Sequence, residues 1–185
     1  MQVLGVQVGT VQPLQVGDGH VLSGIRKHPV QGSVAVTALG LAGDEQADPT
    51  VHGGLAKAVY AYPLEHYEFW REYRQSAGLS ADLPHGSLGE NLTLAGLLES
   101  ALYVGDMLCF PDCVLRVTQP REPCFKFNAV MGGPNAARAM IRSGYSGFYL
   151  AVDMPGTVTA GQEFSVLPGS RQTPLTALLK GNRDS

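Results

Sequence analysis

Gln119-Pro120-Arg121-Glu122-Pro123-Cys124-Phe125-Lys126 is the densest stretch of chemistry-bearing side chains in the chain. Its two prolines fix the backbone, and each biases the residue before it to extended geometry. A cysteine after so stiff a turn is held in place. Arg121 and Lys126 put positive charge beside Cys124, the setting of a nucleophilic or metal-binding thiol. The same residues also fit a buried structural cysteine next to a surface arginine.

Three further clusters stand out. Gly43-Asp44-Glu45-Gln46-Ala47-Asp48 leads into Val51-His52-Gly53-Gly54, where a glycine pair after a histidine allows close backbone approach. An ordinary turn capped by Asp explains that pattern equally well. Gly86-Ser87-Leu88-Gly89-Glu90-Asn91 places Glu90 and Asn91 in a glycine-flanked turn, where they can anchor loops or touch a ligand. Ser23-Gly24-Ile25-Arg26-Lys27-His28 groups three potentially cationic side chains in an acidic protein, which suits an anion such as phosphate. No P-loop, GxGxxG, HExxH or CxxC motif occurs.

These clusters need elements to hold them. Val3, Val6, Val8 and Val11, then Val34 and Val36, lie in short β-branched runs broken by glycine, and Gly17-Asp18-Gly19-His20 reads as a hairpin turn. Tyr62, His66, Phe69, Trp70 and Tyr73 recur at three- and four-residue spacing, which predicts a helix over 62–76 with its aromatic stripe in the core. Residues 101–120 read as strand, turn at Pro111-Asp112, strand, with Cys109 and Cys113 as small core residues. A second helix is predicted over 134–142, stopped by Gly144. From Pro168 the chain is polar and reads as a loose tail. The expectation is one domain over 1–167, with a C-terminal tail over 168–185.

The chain has 185 residues, 44% of them apolar and 16% charged, with a formal net charge of −3. No apolar run is long enough to span a membrane, and no basic stripe marks a nucleic-acid binder. With no basic-flanked apolar leader at the start of this sequence, the three cysteines read as cytoplasmic thiols rather than a disulfide scaffold. The 23 glycines and 12 prolines are dispersed, which indicates many turns between short strands. The pattern as a whole predicts a β-barrel-like or α+β domain.

Taken in order, these stretches resemble the MOSC family, named for the C-terminal domain of molybdenum cofactor sulfurase. The matching segments are SGIRKHPV (23–30), GLAGDEQADPTVHGGLAKAVYAYP (40–63), GSLGENLTLAGL (86–97), VGDML (104–108), TQPREPCFKFN (118–128), GFYLAV (147–152) and PGTVTAG (155–161). They are most similar to the stand-alone bacterial YiiM-like type. The resemblance implies a mainly β, β-barrel-like MOSC fold with a few helices that binds the molybdenum cofactor (molybdopterin). It makes Cys124 the protein's ligand to molybdenum and the catalytic residue. Soft sulfur ligation suits that metal centre. It makes Arg26, Lys27 and Arg121 candidates for the cofactor's phosphate, with Lys126 adding charge nearby. Lys27 matches the lysine of the family's T/S-G-I-x-K pattern, and His28 stands where relatives often carry arginine. Asp44, His52, Glu90 and Asn91 are implied to line or brace the same cavity. The activity implied is reduction of N-hydroxylated small molecules, such as 6-hydroxylaminopurine, to amines. No ferredoxin-like CxxxxCxxC segment accompanies these motifs, so the electrons are expected from a separate reductase. Two other readings stand beside it: a non-catalytic cofactor carrier linked to sulfuration, and a thiol hydrolase using Cys124 and His52.

Overall fold

The structure, a computed structural model, describes residues 1–48 and 53–181. Valine-rich runs form its strands wherever alternate residues can reach one core. In β5 (Ser33–Thr37), Val34 and Val36 are buried and their neighbours exposed, the period of two that a half-covered strand requires. β1 (Gln2–Val8) buries Val3 and Val6 in the same core. β2 (Gln12–Val16) and β3 (Gly19–Ser23) form the expected hairpin, with Gly17 at φ 57° in its turn.

The remaining strands are β4 (His28–Pro29), β6 (Gly40–Leu41), β7 (Val59–Pro63), β8 (Leu92–Ala95), β9 (Met107–Cys109), β10 (Val114–Pro120), β11 (Phe148–Met154), β12 (Gly156–Thr159) and β13 (Ser165–Leu167). The main sheet runs β13-β9-β10-β11-β7-β8-β1-β4, and a smaller one runs β12-β5-β6. All pairings in the main sheet are antiparallel except β7 with β8. Its end strands, β13 and β4, do not pair with each other, so the barrel stays open. The fold is mainly β with a few helices.

β7 divides the interior. It is buried along its whole length. Val59 and Ala61 face the valine-leucine core, whereas Tyr60 and Tyr62 face a second core with Tyr67, Trp70, Phe127, Met131 and Met140. The aromatic stripe is therefore core, but the helix begins later than its spacing predicts. Tyr62 and Pro63 belong to β7, Leu64–His66 form a single 3-10 turn, and α1 runs over Tyr67–Ser76. Alternation in a strand and three-to-four spacing in a helix both bury Tyr62, so the pattern cannot mark the boundary.

Two helices were not anticipated. α2 (Phe125–Met131) follows Cys124 and buries Phe127 and Met131 one turn apart. α4 (Leu175–Gly181) corrects the reading of a loose tail. Leu175 is fully buried in the valine-leucine core, its N–H donates to the Leu102 carbonyl at 2.9 Å, and the Val104 N–H donates to the Thr173 carbonyl at 3.0 Å. Leu175 and Leu179, both buried, anchor the segment. α3 (Ala136–Ser143) ends as expected at Gly144, whose φ of 78° is the left-handed stop.

Candidate functional site

β10, β11 and β7 end side by side. Gln119 registers with Tyr149, and Tyr149 with Tyr60. Chain leaving β10 must turn at Pro120, and the Arg121 N–H donates to the Gly147 carbonyl at 3.3 Å. Pro123 restricts the next step, and Cys124 is extended at φ −125° immediately before α2. This corner is one wall of an open cleft of about 660 Å³, counting space open to solvent. The other wall comes from Ser23, Gly24, Ile25, Lys27, the 44–47 loop, Gly89 and Asn91. Gly24 lets two segments of that wall meet. A Cβ there would stand 2.2 Å from the Glu45 carbonyl oxygen.

Arg121 is only 5% exposed. Its guanidinium lies over two rings, 4.8 Å from the centroid of Phe127 and 5.1 Å from that of Tyr60. Among the described residues no carboxylate lies within 4 Å of it. Burial opposes its charge, but Tyr60, Tyr149 and Cys124 outweigh that and raise it further, so it stays protonated. Burial in turn pushes the Tyr60 and Tyr149 phenols above their ordinary range, although Arg121 pulls the other way. Both phenols remain neutral, and Tyr60 donates to the Ser146 carbonyl at 2.7 Å. A buried cation with no counter-ion is costly unless an anion joins it.

Lys27 is partnered differently. It forms an ion pair with Asp44, and Asp44 also accepts the Gly9 N–H at 2.8 Å. Burial holds Lys27 below the ordinary lysine range, and the Asp44 charge opposes that shift. Lys126 donates to the Leu22 carbonyl at 3.1 Å, tying α2 to the β2–β3 hairpin. The Lys57 ammonium lies 5.7 Å from the centroid of the Tyr149 ring.

Lys27, Asp44, Asn91, Arg121, Cys124 and Lys126 thus meet in one cleft, with the Cys124 side chain half-buried at its edge. Asn91 braces as well as lines it. Its Oδ1 accepts the Tyr60 N–H at 3.0 Å and its Nδ2 donates to the Gln7 carbonyl at 3.2 Å. Glu90 lies behind the wall rather than in it. It is fully buried and accepts from Tyr67, Thr93 and the N–H groups of Gly86 and Leu88. Arg26 is exposed and outside the lining. His52 lies outside the described residues. The sequence reading missed Lys57, Tyr60 and Tyr149. Tyr60 and Tyr149 fall within the matching segments 40–63 and 147–152, but no local signal marked them, because their role depends on two strands aligning.

The sequence model of the MOSC domain matches residues 48–165. Protein YiiM of Escherichia coli (strain K12) is 41% identical over 139 residues, 75% of this chain and 61% of that protein. Uncharacterized protein YflK of Bacillus subtilis (strain 168) is 38% identical over 165 residues, 89% of this chain and 72% of that protein. A protein named "Reductase" from Gibberella moniliformis (strain M3125 / FGSC 7600) is 34% identical over 166 residues, which is 29% of its length. The crystal structure of YiiM from Geobacillus stearothermophilus superposes with a TM-score of 0.76 at 29% identity, covering 100% of this chain and 86% of that one. The chain belongs to the MOSC domain family, which ties it to the molybdenum cofactor. Within that family it is YiiM-like.

Proposed function

We propose that this chain holds the molybdenum cofactor in the Cys124 cleft and reduces N-hydroxylated small molecules to amines. The observation that carries the reading is a half-buried thiol beside a buried guanidinium with no carboxylate within 4 Å among the described residues. Those two groups match the two ends of a metal-bearing phosphorylated cofactor. Cys124 would be its soft sulfur ligand. Arg121, Lys27 and Lys126 would receive its phosphate, with Arg121 offering a planar donor fork. When bound, the cofactor supplies the two-electron redox chemistry that removes an N–O oxygen. The balanced reaction takes R–NHOH, two electrons and two protons to R–NH2 and water. The chain's own part is to bind and orient. Tyr60 and Phe127 fix the guanidinium plane, Asp44 holds Lys27 in the wall, and the Pro120–Pro123 turn aims the thiol. A separate reductase supplies the electrons. The printed name of the Gibberella moniliformis relative, "Reductase", supports the reaction class.

The test is protein made in a cofactor-competent host and assayed for molybdenum, pterin and reduction of 6-hydroxylaminopurine with an artificial electron donor. Bound cofactor with turnover, abolished by Cys124→Ser, is the expected result. Bound cofactor without turnover over a panel of N-hydroxylated compounds would favour the carrier reading. Folded protein free of metal and pterin would overturn both.

A further inference from the structure

Gln7, on β1, is fully buried, and neither its Oε1 nor its Nε2 has a hydrogen-bond partner among the described residues. Its backbone is satisfied. The N–H donates to the Asn91 carbonyl at 2.8 Å, and the carbonyl accepts from Asn91 Nδ2 at 3.2 Å. Only the side-chain amide is unmet, although buried polar side chains in folded proteins are nearly always paired. The fold makes room for it. A Cβ on Gly5 would stand 2.1 Å from Gln7 Nε2 and 2.9 Å from His85 Nδ1, and a Cβ on Gly86, at φ 93°, would stand 3.1 Å from Gln7 Cγ.

Gln7 belongs to the wall of a second cleft of about 890 Å³, counting space open to solvent, between β1, β4 and the 83–85 segment. This cleft shares no lining residue with the Cys124 cleft. Its lining combines apolar Leu4, Pro29, Val30, Leu83 and Pro84 with polar Gln31, Arg71, His85 and Thr159. His85 is half-buried, its ring edge-on to Tyr67 at 5.8 Å, and its Nδ1 lies beside Gly5 on the same side as the Gln7 amide.

We propose that this second cleft binds a small flat ring carrying a cyclic amide edge. A Gln carboxamide offers one donor and one acceptor side by side. The complement is a C=O and an N–H on the same side of one bond. Open-chain secondary amides are trans and point the two groups apart, whereas a lactam ring fixes them together. Apolar walls with a few polar groups among them are the usual construction of a small-molecule site. The ring's faces lie against the proline and leucine side chains. This site is independent of the reading given to Cys124.

Uracil and 1,3-dimethyluracil separate the outcomes, because they share a ring but only uracil carries N–H donors. Each is titrated into the full chain and followed by amide chemical shifts. Uracil is expected to bind about tenfold more tightly, which is what one unmet buried partner costs the methylated ring. The shifts should centre on Gly5, Gln7 and His85. The preference should fall to within about twofold in Gln7→Leu and persist in Cys124→Ser. Equal affinity for the two rings, a preference retained in Gln7→Leu, shifts centred on the Cys124 cleft, or no binding at millimolar uracil would each overturn the proposal. Should Gln7→Leu fail to fold, the ring comparison and the shift map in the unaltered chain decide it.

Discussion

Lys27 and Asp44 face each other as an ion pair in the cleft wall, with 7% and 5% of their side chains exposed. Burial alone pushes the Lys27 ammonium toward neutrality, and Asp44 is the main group opposing it. Asp44→Asn leaves that ammonium buried without its counter-charge. Removing one side of a buried pair costs about 3–5 kcal/mol, so the variant should unfold at markedly lower urea. The pH sign follows. Lys27 already titrates below its unfolded value of 10.5, and without Asp44 it falls further. The folded variant then sheds its proton at a pH where the unfolded chain keeps it, so stability rises with pH in that window. The deficit against the parent protein should shrink from neutral pH toward about 10. Urea melts at several pH values check this, and a constant deficit refutes it.

Cys124 and Cys113 should differ sharply toward an alkylating agent. Cys113 is fully buried, its Sγ lies 3.5 Å from the Thr157 carbonyl, and burial pushes its thiol up to about 11. At pH 8 that leaves about 0.1% thiolate, in a place no reagent reaches. Cys124 borders the open cleft. Iodoacetamide followed by peptide mass spectrometry should label Cys124 within minutes and Cys113 only in denaturant. Equal labelling of both in the folded protein would contradict the burial.

Much of the site was legible in the sequence because proline, glycine and charge report local backbone needs. Pro120 and Pro123 announced a rigid corner, and Lys27 a cation suited to an anion. What escaped was set by distant pairing. Tyr60 and Tyr149 share the cleft because β7 and β11 align in register, which no local spacing encodes. For Glu90 the glycine-flanked turn left loop anchor and ligand contact both open, and its bonds close the turn itself. α4 escaped because only Leu175 and Leu179 of its described side chains are buried, too few to stand out as a helical pattern.

Arg121→Met should separate stability from binding. Replacing a buried charge by an apolar chain of similar length removes the cost of burying it, and such exchanges are often neutral or stabilising by about 1–4 kcal/mol. The lost contacts with the Tyr60 and Phe127 rings work against that gain by about 1–2 kcal/mol. The expected result is a melting temperature no lower than the parent's, with affinity for inorganic phosphate reduced about tenfold or more. A clear loss of stability would mean that Arg121 serves the core rather than the cleft.

Glu90→Gln tests the turn behind the cleft. The carboxylate accepts the Gly86 N–H at 2.7 Å, the Leu88 N–H at 3.1 Å and the Thr93 hydroxyl at 3.0 Å, and it also accepts from Tyr67. A Gln amide turns one acceptor into a donor facing donors, and an unmet buried group costs about 1–3 kcal/mol. Burial raises Glu90 above its ordinary 4.5, although its donors pull it down. The folded parent therefore binds this proton more readily than the unfolded chain, and acidification toward 4.5 favours the folded parent through this group. Gln does not titrate, so the variant's deficit should widen as pH falls from 7 toward 4.5. Gly89, at φ 87°, would put a Cβ 2.8 Å from Ile25 Cγ1 in the cleft wall, so a loosened turn reaches the site. Hydrogen exchange should quicken at Gly86, Leu88 and Ile25 together. Faster exchange confined to Gly86 and Leu88 would show that the turn and the cleft wall are not mechanically joined.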